Sequence, residues 1–164
     1  LEQSDFDWIQ DYRGQYDRQF SLVKPHFTIV FAVQDLSRDS FLNEVKLKTA
    51  DTQAFDFSLK VATVNKDSGG DYYHEFLVPD TGYSNIVKLH DELYSGLLAS
   101  HLRLDIDFIP HISIGDSEDP QISKQRIDSL NAQDILIPGH IGSLDVIEYA
   151  DGAIHTLEKV QLQR

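Results

Sequence analysis

The chain has 164 residues, 41% of them hydrophobic, enough for one domain with a buried core. It has no cysteine, which excludes disulfides, Cys-based zinc sites and thiol catalysis. A net charge of −13 argues against a partner such as duplex DNA, because proteins that hold long nucleic acids carry a basic footprint.

A helix is expected over Ser4 to Tyr12. Pro25-His26-Phe27-Thr28 follows and leads into an apolar run that reads as a strand. Ser37 to Ala50 reads as a second helix, with Phe41, Leu42 and Val45 inward. Phe55 to Val64 and Tyr72 to Val78 are strand-like and are joined by the turn-rich stretch 66–71. Ile86, Leu89, Leu93 and Leu97 then recur at helical spacing after Ser84, a candidate cap. Pro110-His111-Ile112-Ser113 follows, again leading into an apolar run. Gln121 to Leu130 reads as a helix with Ile122, Ile127 and Leu130 inward. Two last strands are expected over Ile141 to Tyr149 and Ile154 to Leu162, turning at Asp151-Gly152. Helix, motif strand, helix and hairpin thus occur twice, in halves of about 1–80 and 81–164 within one domain, 1–164.

The two motifs carry the chemistry. Residues i and i+2 of a strand share a face. His26 therefore lies beside Thr28 and His111 beside Ser113, while Phe27, Ile29, Ile112 and Ile114 face a core. One histidine two positions before a hydroxyl is cheap, and either copy alone would be read as a strand-end packing residue. With 5 Pro in the chain, only roughly 0.03 Pro-His-x-Ser/Thr strings are expected by chance. Two imidazoles and two hydroxyls in one cleft can remove a proton, deliver a proton and bind phosphate oxygens. Other histidines lack this context: His74 reads as a packing residue on a strand face and His90 as a surface residue of its helix. Neither motif carries a carboxylate at i+2, so no metal and no cofactor are expected. There is no P-loop, no dinucleotide fingerprint and no nucleophile elbow.

Paired His-x-Thr/Ser motifs within a doubled α+β order resemble the 2H phosphoesterase superfamily, which includes the 2′-5′ RNA ligase-like proteins and RNA 2′,3′-cyclic phosphodiesterases. The stretch 91–98 and the run Phe108 to Gly115 resemble its small bacterial members in particular. The resemblance implies an α+β, bilobal, pseudo-two-fold fold, with two antiparallel sheets backed by helices around a central cleft. It implies metal-independent opening of 2′,3′-cyclic phosphates, or cleavage or formation of 2′-5′ linkages, with His111 as base and His26 as acid. Thr28 and Ser113 would bind the substrate phosphate with them. The implied partner is a nucleotide or short RNA end met by a cytoplasmic monomer, and the other function class is a non-catalytic binder of nucleotide or phosphate. The chain departs from the family pattern at Ser113, where Thr is commoner, and in the acidic stretch 115–119, where some relatives place an Arg. Local positive charge would have to come from residues such as Arg13, Arg18, Lys24 and Arg103. No apolar run approaches the ~20 residues of a membrane span, and no signal peptide is visible.

Overall fold

A computed structural model describes residues 1–164 as an α+β fold with two antiparallel sheets of four and two strands. Four helices, α1 (Gln3–Tyr16), α2 (Arg38–Thr49), α3 (Tyr83–Leu93) and α4 (Pro120–Asn131), accompany six strands. These are β1 (Phe55–Lys66), β2 (Tyr73–Thr81), β3 (Ile112–Ser117), β4 (Ile137–Ile141), β5 (Ser143–Ala150) and β6 (Ala153–Gln161).

Local chemistry sets most boundaries. Ser37 caps α2 by accepting from the Ser40 N–H, and Asp119 caps α4 by accepting from the Gln121 N–H, with Pro120 opening that helix. The expected cap at Ser84 is displaced, because α3 begins earlier, from Gly82 at φ 80. A side chain at Gly82 would be strained at that φ, and its Cβ would meet the Phe57 Cβ at 2.7 Å. The β5–β6 hairpin turns through Asp151 at φ 53 and Gly152 at φ 78, the two positive φ values of a type I′ turn.

The larger sheet runs β3-β2-β1-β4 and the smaller β5-β6. β3 and β4, from the second half of the chain, thus flank the β1–β2 hairpin from the first. The larger sheet buries Phe57, Leu59, Leu77, Ile112, Ile114 and Ile137 against Ile9 of α1 and Ile127 and Leu130 of α4. Burying an aliphatic side chain of this size fully contributes about 1.5–3 kcal/mol. A separate cluster joins Val45 of α2 and Leu89 and Leu93 of α3 to Val146 and Val160 of the small sheet, with Ile29, Phe41 and Leu42 packed on it.

Several expected details change. The first motif is extended but pairs with no strand: residues 24–29 alternate exposed and half-buried while lying outside both sheets. Side chains hold it instead. Phe27 packs edge-on against Phe57, Ile29 joins the small-sheet cluster, and the Phe31 N–H donates to the Tyr94 hydroxyl at 3.0 Å. β4 is an addition to the expected strands: the run expected from Ile141 is split, with Ile137–Ile141 forming β4 and Ser143–Ala150 forming β5. Pro138 is tolerated since β4 is an edge strand, and Gly139 is required because the Phe57 ring occupies the space of a Cβ. His90 is buried rather than exposed. It lies one turn from Ile86 on the same stripe and stacks on Phe108 with ring centroids 3.6 Å apart. α3 ends at Leu93, so Leu97 falls off the stripe into solvent and Leu98 is buried in its place. In α4, Ile127 and Leu130 face inward as expected, but Ser123 takes the place expected of Ile122, which is exposed. No helix is long and apolar enough to cross a membrane.

Candidate active site

Both motifs reach one cavity of about 70 Å³, lined by His26, Thr28, His111 and Ser113. Arg13 and Asp17 of α1 and its C-terminal edge, and Gln19 and Lys24 of the following loop, complete most of its wall. The two motifs get there by different routes. His111 immediately precedes β3, and Ser113 sits in β3 opposite Phe76 of β2, while the alternate residues Ile112 and Ile114 enter the core. On the other wall, the unpaired segment keeps the same parity, with Phe27 inward and His26 and Thr28 toward the cavity.

The imidazoles are anchored in the same way. His26 Nδ1 lies 2.7 Å from the carbonyl oxygen of Lys24, and His111 Nδ1 lies 2.5 Å from that of Ile109. A carbonyl only accepts, so Nδ1 carries the proton in both rings and Nε2 is left for other partners. In each case the acceptor residue immediately precedes a proline. Proline biases the residue before it toward extended backbone, which accounts for Pro25 and Pro110 in the repeated motif. His26 Nε2 lies 3.1 Å from Thr28 Oγ1, so imidazole and hydroxyl of the first motif are in direct contact.

The surroundings of the rings differ. His26 is exposed, whereas His111 is half-buried and lies flat on Phe76, with centroids 3.6 Å apart and planes at 17°. Burial pushes the His111 pKa down from 6.5 to about 4, helped by the nearby His74 and His26 and opposed by the bond to Ile109. His74 fits the packing role expected of it, stacking on Phe76 and meeting Asp67 at 2.9 Å. That contact is the main reason the Asp67 pKa falls to about 2.

Of the four candidate cations, two reach the cavity. Arg13 and Lys24 line it, Arg18 pairs with Asp116 at 2.9 Å and lies over the Tyr72 ring, and Arg103 pairs with Asp105 at 2.6 Å. With Asp17 the only carboxylate in the lining, Arg13, Lys24 and Asp17 give the cavity wall one net positive charge before either imidazole is counted, on a molecule of net −13 with neutral histidines. Asp17 and Gln19 lie outside the motifs that the sequence singles out; the i, i+4 spacing of Arg13 and Asp17 on one helix face is the signal that points to them. No group of three or more His, Asp or Glu side chains is arranged to hold a metal ion.

A family profile described as the 2′-5′ RNA ligase superfamily matches residues 1–153. The chain belongs to that superfamily. Among curated proteins, one from Geobacillus sp., provisionally named a phosphoesterase, is 26% identical over 111 residues, covering 66% of this chain and 61% of that one. A Bacillus cereus protein with the same provisional name is 31% identical over 105 residues, covering 63% and 58%. The matches thus span about three fifths of those relatives' length. The fold is shared with the crystal structure of TT0787 of Thermus thermophilus, at a TM-score of 0.62 and 14% identity, covering 99% of this chain and 94% of that one. It is also shared with apo E. coli LigT, at 0.57 and 14%, covering 100% and 94%. A second LigT structure, complexed with ATP, matches at 0.53 and 13% identity, covering 96% and 92%.

Proposed function

We propose that this member of the 2′-5′ RNA ligase superfamily is a metal-independent phosphodiesterase using His26, Thr28, His111 and Ser113. Its substrates are 2′,3′-cyclic phosphates, or 2′-5′ linkages, on nucleotides or short RNA ends. The observation that carries the reading is the matched anchoring of the two imidazoles. Each Nδ1–H is held by the carbonyl two residues upstream, so both rings have Nε2 available on a cavity that also holds two hydroxyls. Membership of the superfamily, and the ATP complex of LigT, support a nucleotide-sized ligand.

In hydrolysis, a water proton passes to Nε2 of His111, and the water oxygen forms a new bond to phosphorus. The bond from phosphorus to one ribose oxygen breaks, and that oxygen receives a proton from Nε2 of His26, which enters the step as the imidazolium with Nδ1–H still held by Lys24 and leaves it neutral. The ring opens to a phosphomonoester. His111 is suited to the base role because its depressed pKa leaves it neutral at pH 7 with a lone pair on Nε2. Thr28 and Ser113 donate to the non-bridging oxygens, whose negative charge must be stabilised as the bond forms. In the 2′-5′ direction the same groups act with a ribose hydroxyl in place of water, and the roles of the two rings exchange with the direction of reaction.

The test is incubation of the purified chain with a 2′,3′-cyclic nucleotide, with and without a chelator. Turnover that survives the chelator is expected. A chain that binds the nucleotide without turning over any cyclic phosphate or 2′-5′ linkage is a binding module instead.

A further inference from the structure

We infer that Arg13 is the phosphate-binding cation of this cleft, a guanidinium fixed in advance by α1 to grip a non-bridging oxygen of the substrate. The inference rests on reading the cleft as a phosphate site and assigns a residue that the paired motifs do not contain.

Arg13 is 2% exposed, an unusual state for a residue whose charge cannot be removed by titration. Its neighbours hold it without using it up. Nε donates to Asp17 Oδ2 at 2.7 Å, and Nη1 donates to Gln10 Oε1 at 2.7 Å. Both partners lie on or just beyond the same helix, within about one turn of Arg13, so the guanidinium plane is set by α1 itself. The remaining Nη2 makes no hydrogen bond to the protein. No buried side-chain nitrogen or oxygen in the protein lacks a partner, so Nη2 must meet solvent. For a residue buried everywhere else and lining the cavity, that solvent is in the cleft.

Charge supports the same assignment. Asp17 is the obvious competitor for an anion's place, but its oxygens are already engaged, Oδ2 by Arg13 and Oδ1 by the Gln19 N–H at 2.8 Å. Lys24 also lines the cleft but lies on a loop, and its carbonyl rather than its ammonium is what the site holds. A guanidinium held at two of its nitrogens loses little freedom on binding and offers directed donors, which suits phosphate oxygens better than a mobile ammonium. Of the two cations, Arg13 is therefore the preorganised one.

The experiment uses inorganic phosphate on the full chain, followed by NMR of the His26 and His111 rings and of the Arg13 Nε–H. In the parent, phosphate is expected to shift all three signals with one affinity. Histidine shifts with an unmoved Arg13 signal would overturn the assignment to Arg13 and leave the two-histidine site standing. If phosphate shifts none of the three, the reading of the cleft fails with it. Arg13→Gln alone would leave Asp17 buried and unpaired, so the affinity is measured on Arg13→Gln/Asp17→Asn, which removes both charges. That variant is expected to bind phosphate about tenfold more weakly or worse, with His26 and His111 still shifting at saturation, and Arg13→Lys to fall between it and the parent. Phosphate affinity within about twofold of the parent in a folded double variant would rule Arg13 out. A purely structural arginine would change the melting temperature without changing that affinity.

Discussion

At the scale of single residues, the two histidines are chemically alike and environmentally unlike. His26 stands in solvent, and His111 lies on Phe76 with its pKa depressed to about 4. The pH–rate profile should therefore be bell-shaped, with its acid limb well below 6.5 and its two limbs reporting the coupled pair. Phe76→Leu should open the His111 ring to water and move that limb upward; an unmoved limb would mean that His111 is not the base. His26→Ala and His111→Ala should each remove most of the rate, and the double variant little more than either alone, because the two groups act as a unit. Thr28→Val and Ser113→Ala should be milder, each deleting one hydrogen bond to phosphate worth on the order of 1.5–3 kcal/mol. Single-turnover rates of the four variants on one cyclic nucleotide check these statements together.

At the scale of elements, β3 carries Ser113 and pairs with β2, and a polar knot on β2 ties this pair to α1 and α4. Glu75 of β2 is fully buried and is reached by Arg126 of α4 at 3.0 Å and by the Tyr12 hydroxyl of α1 at 3.3 Å. Burial, followed by the nearby Glu75 carboxylate, pushes the Tyr12 pKa upward, so the hydroxyl stays protonated and donates. Arg126→Met should destabilise the fold by about 3–5 kcal/mol, because it strands a buried carboxylate. Glu75→Gln/Arg126→Met, which strands no charge, should cost much less. Equal losses in urea unfolding of the two variants would show that the ion pair does not hold these strands. The first motif has no such ladder or knot. It is tethered by Phe27, Ile29 and the Tyr94 hydroxyl, so Tyr94→Phe should raise amide exchange at Phe31 while leaving β3 protected.

At the scale of the whole molecule, both motifs rest on the larger-sheet cluster, through Phe27 and Ile112, and Ile29 just beyond the first motif ties it to the small-sheet cluster as well. Folding stability and site protonation are linked through His111. Its folded-state pKa lies below the unfolded value, so the unfolded chain binds more protons between about pH 6.5 and about pH 4. Acidification across that window should remove on the order of 3 kcal/mol of stability, with no contribution from this group above it. His111→Gln should flatten that part of the stability–pH curve, as measured by urea midpoints at stepped pH. A slope unchanged by the substitution would place the acid sensitivity elsewhere.

Residue order alone determined a good deal of this protein. The repeated Pro-His-x-Ser/Thr strings, the i and i+2 parity that turns each imidazole and hydroxyl away from Phe27 or Ile112, and the hairpin at Asp151-Gly152 are all local, and local sterics decide them. The α+β class followed from the same periodicities. What the sequence could not carry was anything set by a distant neighbour. Ile137-Pro138-Gly139 carries no strand pattern of its own and becomes a strand where β1 offers an edge and Phe57 fills the space above Gly139. His90 is polar by type, and though it lies on the Ile86 stripe of α3, its ring is accepted in the interior because Phe108, distant in the chain, stacks on it. The first motif looks like a strand but has no partner, since hydrogen-bond pairing belongs to two segments at once. Arg13 was one of several cations in the sequence; only the packing of α1 beside both motifs put its guanidinium in the cleft. Those outcomes depend on contacts between residues far apart in the chain, which tertiary structure alone supplies.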